Sequence, residues 1–200
     1  NVRSAILTSA VFNFLGVLVM TQINSSVAAT ISNMVDFGGN TSAALIALCA
    51  ALFSIVVYSV GAARFGIPTS ESHSLIAGLS GAAIAIQDGI GGINMSEWVK
   101  VLYGLGLSLF LGFVSGWLVC KLLTVVCADM DRRKTNVFFK YAQIFGAAAM
   151  SFMHGAQDGQ KFIGVLFLGM AFCDGQTSVS GLAIPVWLMV LCSTTMALGT

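Results

Sequence analysis

Charge is what this sequence has least of. Only 8% of its 200 residues are Asp, Glu, Lys or Arg, 57% are hydrophobic, and the mean hydropathy is +0.92. A soluble domain carries about a quarter charged residues. This chain has too few to coat a water-facing surface, which points to a polytopic helical membrane protein. The formal net charge of +1, with no basic patch, excludes a nucleic-acid partner. Metal-ligand spacing is lacking too. The five cysteines (Cys49, Cys120, Cys127, Cys173, Cys192) make no CxxC or Cys/His pattern and lie in or beside apolar runs. There a thiol serves as a small core filler. An initiating Met is lacking, and the last residues, "STTMALGT", stop inside an apolar run. Further sequence is expected on both sides.

Long apolar runs are what the chain has in abundance. About 20 mostly apolar residues cross a bilayer as a helix. Span A is read at about 4–23, B at 43–63, C at 98–127, D at 137–173 and E at 182–200. The segment from Ile67 to Asp88 is too polar at its start for an ordinary span and too apolar later for a loop. Span A begins like a signal peptide, but the spans that follow favour a first membrane crossing.

Basic residues orient the spans, because cytoplasmic loops collect Lys and Arg. Arg3 precedes A, Arg64 follows B, and Lys121, Arg132, Arg133 and Lys134 sit at or after the end of C. Loop 24–42, the stretch 87–97 and loop 174–181 carry none. With the Arg-bearing ends in the cytoplasm, A runs outward and B inward, and C must also run inward. The parity holds only if 68–87 makes one net crossing.

Two segments look broken. Pro68 removes a backbone donor and disfavours helix at Ile67. The polar "TSESHS" that follows is suited to capping a helix restarting near Ser72. The N-terminus of such a helix, with its free N–H groups and partial positive charge, attracts anions. Span D holds the second break, "SFMHGAQDGQKFIG", Ser151 to Gly164. Gly155 and Gly159 weaken a helix there, and a second half starting near Asp158 is expected to place another N-terminus at membrane depth. Ionisable groups inside a bilayer cost about 2.5–3.5 kcal/mol each on insertion scales. The cluster of His154, Asp158 and Lys161 therefore reads as a solute site, and paired interrupted segments are a mark of secondary transporters. Blander readings stay open: a structural Asp158–Lys161 ion pair on one helical face, a loop between two short spans, and structural roles for His73 and His154.

At these residues the sequence resembles the PiT-type inorganic phosphate transporter family. That family pairs a Pro-x-Ser-Thr/Ser-Thr/Ser-His motif with a His-Gly-Ala-Asn-Asp motif. Here they read "PTSESH", Pro68 to His73, and "HGAQD", His154 to Asp158, followed by "GQK". The bacterial branch often has Asn-Asp-Gly-Gln-Lys, so "QDGQK" departs at one position. The resemblance covers essentially the whole chain. It implies an all-α fold with broken helices, part of an inverted-repeat transporter. Residues 1–128 would be the first-repeat portion, with spans A to C and the Ser-rich segment 67–88. Residues 129–136 would be a cytoplasmic inter-repeat loop, and 137–200 the second-repeat portion.

The resemblance implies a multi-pass protein of the cell membrane, with inorganic phosphate and the lipid bilayer as partners and a homo-oligomer left open. It implies a cation-coupled symporter working by alternating access, not an enzyme, without a cofactor or resident metal. Ser70, Glu71, Ser72, Gln157, Asp158 and Lys161 match substrate-contacting positions, with Pro68, His73, His154 and Gly155 supporting them. Asp158 and Glu71 are the candidates for the coupling ion or proton. Glu71 departs from the usual Thr or Ser. A carboxylate beside an anion is repulsive unless protonated or cation-bound, and burial favours the protonated form. Lys161 matches a position that is Asn in many sodium-coupled members, and an ammonium repels a cation. Together these favour proton coupling, or carriage of a metal–phosphate complex, over sodium. Rival readings are a permease for another oxyanion such as sulfate, and a structural membrane module with its polar side chains as interhelical glue. An intramembrane hydrolase built on Ser70 or Ser72 fits poorly: helical neighbours one or two apart do not face each other, and no GxSxG turn is present.

Overall fold

The computed structural model describes residues 2–176 and 184–199. Among them every regular element is helical: α1 (Val2–Ile23), α2 (Ser26–Asn33), α3 (Thr41–Phe65), α4 (Glu71–Ile86), α5 (Met95–Val126), α6 (Arg132–His154), α7 (Gln160–Cys173) and α8 (Val186–Leu198). A short 3-10 turn, Ile90–Gly92, precedes α5, and a π-helical turn, Gly155–Gly159, joins α6 to α7. α1, α3 and α5 are long and apolar enough to cross a membrane, so spans A, B and C are present and the chain is an all-α membrane protein. α8 covers span E from Val186, while residues 182 and 183, where that span was read to start, lie outside the described residues.

Local chemistry explains the element ends. Asn40 accepts N–H groups of Ser42 and Ala43 to start α3. Gly66, at φ +68°, closes it in the left-handed conformation, with Ile67 N–H reaching back to Ala62 O at 2.9 Å. Glycine takes that conformation without steric cost, so α3 stops at Gly66, two residues before Pro68. Asn94 caps α5 through Ser96 N–H.

Two boundaries differ from the sequence reading. Loop 24–42 contains α2, whose first N–H, from Ser26, is taken by Asn24 Oδ1 at 2.8 Å. Loop 129–136 is mostly helix, because Asp131 caps α6 through Arg133 N–H at 3.0 Å.

Helix directions follow from paired contacts. Ser9 and Ser151 hydroxyls lie 3.0 Å apart, the Asn13 backbone meets Gly155, and Val17 meets Gly159. α1 therefore runs parallel to the α6–α7 rod. α4 turns back along α3: Gly78 sits against Ala51 and Ile55, and at the far end Gln87 Nε2 donates to Asp36 O at 3.3 Å. Asp36 N–H to Gly92 O and Asn94 N–H to Met34 O tie that same end. The 16 residues of α4 rise about 24 Å and carry the chain from the C-terminal end of α3 back to the level of its N-terminus.

α7 is the hub. Val165, Leu168, Ala171 and Phe172 pack with α3 and α4 in one apolar core, while Ile163 joins Val17, Ala28, Leu188 and Cys192 in a second. Among the described residues, α5 lends Trp98 and Val101 to the apolar core and buries no residue fully. Among the described residues, a side chain at Gly112 or Gly116 of α5 would meet nothing within 4 Å.

Candidate functional site

The two segments singled out by sequence meet at the start of α4 and the π turn. Ser70 is the N-cap of α4: its Oγ accepts the His73 N–H at 3.4 Å. The first-turn N–H groups of Glu71 and Ser72 keep no intrahelical acceptor, so an electropositive helix end faces the site. The helix starts at Glu71, one residue before the position expected from the pattern.

The interruption of span D has a different form from the one expected. His154, Gly155, Gly159 and Gln160 all keep right-handed helical dihedrals, and the backbone widens into a π turn without stopping. No fresh N-terminus forms at Asp158, so the second helix start expected there is not realised. Instead the wide turn changes which side chains share a face. π-bulges inside helices recur at functional sites.

Asp158 is the centre of a charged network. Lys161 Nζ donates to Asp158 Oδ1 at 2.6 Å and also to Ser72 Oγ, and Ser72 Oγ lies 3.2 Å from the same Oδ1. His154 Nδ1 stands 3.0 Å from Asp158 Oδ2. The Asp158 and Lys161 side chains are each only 18% exposed, whereas His154 is 55% exposed. Both carboxylate oxygens thus hold nitrogen partners, and one oxygen is linked across to α4. Charge-assisted bonds of this kind are stronger than neutral ones.

The other expected residues stand apart from this network. Glu71 is exposed on the first turn of α4, so the burial on which its role as a proton carrier rested is absent. Gln157 is exposed as well. His73, Ser70 and Pro68 line a cavity of about 610 Å³ with Ser54, Tyr58, Thr69 and Ser74, between α3 and α4. Gly155 acts by size, letting Asn13 of α1 come against the π turn. Among the described residues no cluster of three or more His, Cys, Asp or Glu side chains is arranged to hold a metal ion.

Gln160 was not singled out from sequence. It is buried, and its Nε2 donates to Asn24 O at 2.9 Å, fastening the start of α7 to the end of α1. The only signal was its place in the "GQK" that follows Asp158.

The whole chain, residues 1–200, matches the model of the phosphate transporter family. A protein of Bacillus subtilis (strain 168), described as a probable low-affinity inorganic phosphate transporter, is 32% identical over 198 residues, 99% of this chain and 57% of that protein. A protein of the same description from Mycobacterium tuberculosis (strain ATCC 25618 / H37Rv) is 33% identical over 206 residues, 99% of this chain and 46% of its own length. A low-affinity inorganic phosphate transporter of Escherichia coli (strain K12) is 29% identical over 192 residues, 82% of this chain and 38% of its own length. The chain spans about half the length of the curated relatives it matches. No solved structure matches it significantly.

Proposed function

Because the chain belongs to the phosphate transporter family, we propose that it forms part of a multi-pass transporter of the cell membrane that carries inorganic phosphate by alternating access, coupled to protons rather than sodium. The observation that carries this reading is the network joining Ser72 on α4 to Asp158 and Lys161 at the start of α7. A site held together by two separate helical segments can be remodelled by moving one against the other, which alternating access requires.

Each residue has a task in this reading. The free N–H groups at the start of α4 and the Ser70 and Ser72 hydroxyls replace water around a phosphate oxygen. Lys161 supplies positive charge. Asp158, with His154 on its second oxygen, is the proton-carrying centre, and Glu71 and Gln157 flank it on exposed positions. The basic residues Arg3, Arg64 and Arg132–Lys134 place the start of α1, the end of α3 and the start of α6 on the cytoplasmic side.

The experiment is uptake of labelled phosphate into proteoliposomes holding the full-length protein, with pH and sodium gradients imposed separately and sulfate as competitor. Uptake under the pH gradient alone, with sulfate a poor competitor, is the expected result. Uptake that needs sodium would keep phosphate transport and remove the proton coupling. Equal competition by sulfate would make the protein a general oxyanion permease.

A further inference from the structure

We propose that the C-terminal end of α5 holds one anionic phospholipid, its phosphodiester on Lys121 and an acyl chain along the aromatic side chains before it. The proposal rests on α5 spanning the membrane and does not depend on what the protein transports.

Length places Lys121 at headgroup depth. Trp98 and Trp117 stand nineteen residues apart on α5, a rise of about 28 Å that matches the ~30 Å hydrocarbon core of a bilayer. Tryptophan settles at the two edges of that core. Lys121 follows Trp117 by one turn, and its ammonium lies 5.3 Å from the Trp117 ring centroid. The next helix agrees. A short turn, with Met130 N–H donating to Cys127 O at 3.3 Å, leads into α6. Tyr141 lies as many residues after the start of α6 as Trp117 lies before the end of α5. Arg133 and Lys140, both exposed, stand at or beyond that level.

The chemistry of the surface selects the occupant. Phe110, Phe113, Trp117, Lys121 and Thr124 follow one another at helical spacing along one side of α5. The three aromatic side chains are exposed. The stripe is thus apolar at acyl-chain depth and ends in a cation and a hydroxyl. A groove of about 180 Å³ lies at this polar end, lined by Trp117, Cys120, Lys121, Thr124 and Val125. Among the described residues no carboxylate pairs with Lys121, and Asp131 of the connecting turn is engaged in capping α6. The ammonium is left for an anion from outside the chain. A zwitterionic lipid would bring its own cation beside Lys121 and Arg133, whereas phosphatidylglycerol brings none. Basic residues at the end of a span attract anionic lipid in this way.

The test is fluorescence quenching by brominated lipid. The full-length protein, with Trp117 kept as its one tryptophan and phenylalanine at the others, is placed in phosphatidylcholine vesicles containing brominated phosphatidylglycerol or brominated phosphatidylcholine. Bromine quenches tryptophans beside it, so the ratio reads which lipid sits at Trp117. Phosphatidylglycerol is expected to be favoured about fivefold. The preference should survive inorganic phosphate and Lys121→Arg, and vanish with Lys121→Gln. Trp187 kept alone, exposed on α8, which carries no Lys or Arg, is expected to show no preference. Equal quenching at Trp117, the same preference at Trp187, or a preference retained by Lys121→Gln overturns the proposal. Loss of the preference on adding inorganic phosphate also overturns it, by assigning Lys121 to the free anion. If the tryptophan-depleted protein does not fold, native mass spectrometry of the wild type and Lys121→Gln from mixed micelles of the two lipids decides. The wild type is expected to retain one more phosphatidylglycerol, and equal retention overturns the proposal. Absence of phosphate uptake counts against the transport reading alone.

Discussion

Gly155 lies directly against the backbone of Asn13. A Cβ added at Gly155 would meet the Asn13 carbonyl oxygen and come within 2.7 Å of its Cα. Neither atom can step aside, because one is the backbone of α1 and the other sits inside the π turn. Gly155→Ala is therefore expected to destabilise the protein by about 1–3 kcal/mol, the usual cost of overpacking. Gly146, nine residues earlier on α6, faces nothing within 4 Å among the described residues. Gly146→Ala is expected to leave the melting temperature unchanged or raise it, since alanine is the better helix former. Thermal unfolding of the two variants side by side checks both signs.

The sequence showed what local chemistry determines. α1, α3 and α5 are written as long apolar runs, and the restart of α4 is written in Pro68 and the hydroxyls after it. Long-range geometry was not legible in the same way. Ser72 and Asp158 are 86 positions apart, and no local pattern places one against the other; only the motif resemblance hinted at it. The π turn was read as a stop because glycine weakens a helix, yet packing against Asn13 and Val17 keeps that backbone helical. α2 was lost inside a loop because its eight residues are too few to carry a clear period. Glu71 was placed in the site by its neighbours in sequence, but adjacent helical residues point about 100° apart, so Ser72 reaches Asp158 and Glu71 does not.

Ser70 separates folding from anion binding. It caps α4 through the His73 N–H, and Asp is as good an N-cap as Ser. Ser70→Ala is expected to cost about 0.5–1 kcal/mol, at the low end for caps, because the bond is long. Ser70→Asp is expected to keep the wild-type melting temperature while placing a negative charge beside the proposed phosphate. Phosphate binding should therefore fall with Ser70→Asp even though the fold is intact. Melting curves and labelled-phosphate binding on the same preparations test the two halves of this prediction. Unchanged binding would move the anion away from the start of α4.

Cysteines near the helix ends report which side each end faces. Cys127 follows α5 just before the basic start of α6, and Cys173 closes α7 at the other end of the rod. Variants retaining one cysteine each are expected to react with a membrane-impermeant maleimide from opposite faces, Cys127 from the cytoplasmic side and Cys173 from the outside. Cys49 and Cys120, exposed within α3 and α5, are expected to face lipid in the proposed transporter and to stay unlabelled from either face. Labelling of Cys127 and Cys173 from one face would mean that the rod returns on itself inside the bilayer.

Asp158→Asn distinguishes a transport centre from a structural ion pair. The amide keeps the shape of the side chain and removes its charge. Lys161 and His154 then lose the negative charge beside them, and the single amide oxygen can accept from only one of the two, leaving a mostly buried ammonium poorly compensated. Both readings therefore expect some loss of stability. The 18% exposure of the pair keeps that loss below the 3–5 kcal/mol of a fully buried broken pair, at about 1–3 kcal/mol. The readings part over flux. If Asp158 only holds α7 in place, protein that remains folded keeps moving phosphate. If it carries the coupling proton, the asparagine variant has no group to protonate and release, and uptake driven by a pH gradient is lost even in folded protein. The check is initial uptake rate per mole of folded protein, compared with phosphate exchange at equal pH on both sides. Loss of the driven rate with exchange retained would place Asp158 in the coupling step, and an unchanged driven rate would return the pair to a purely structural role.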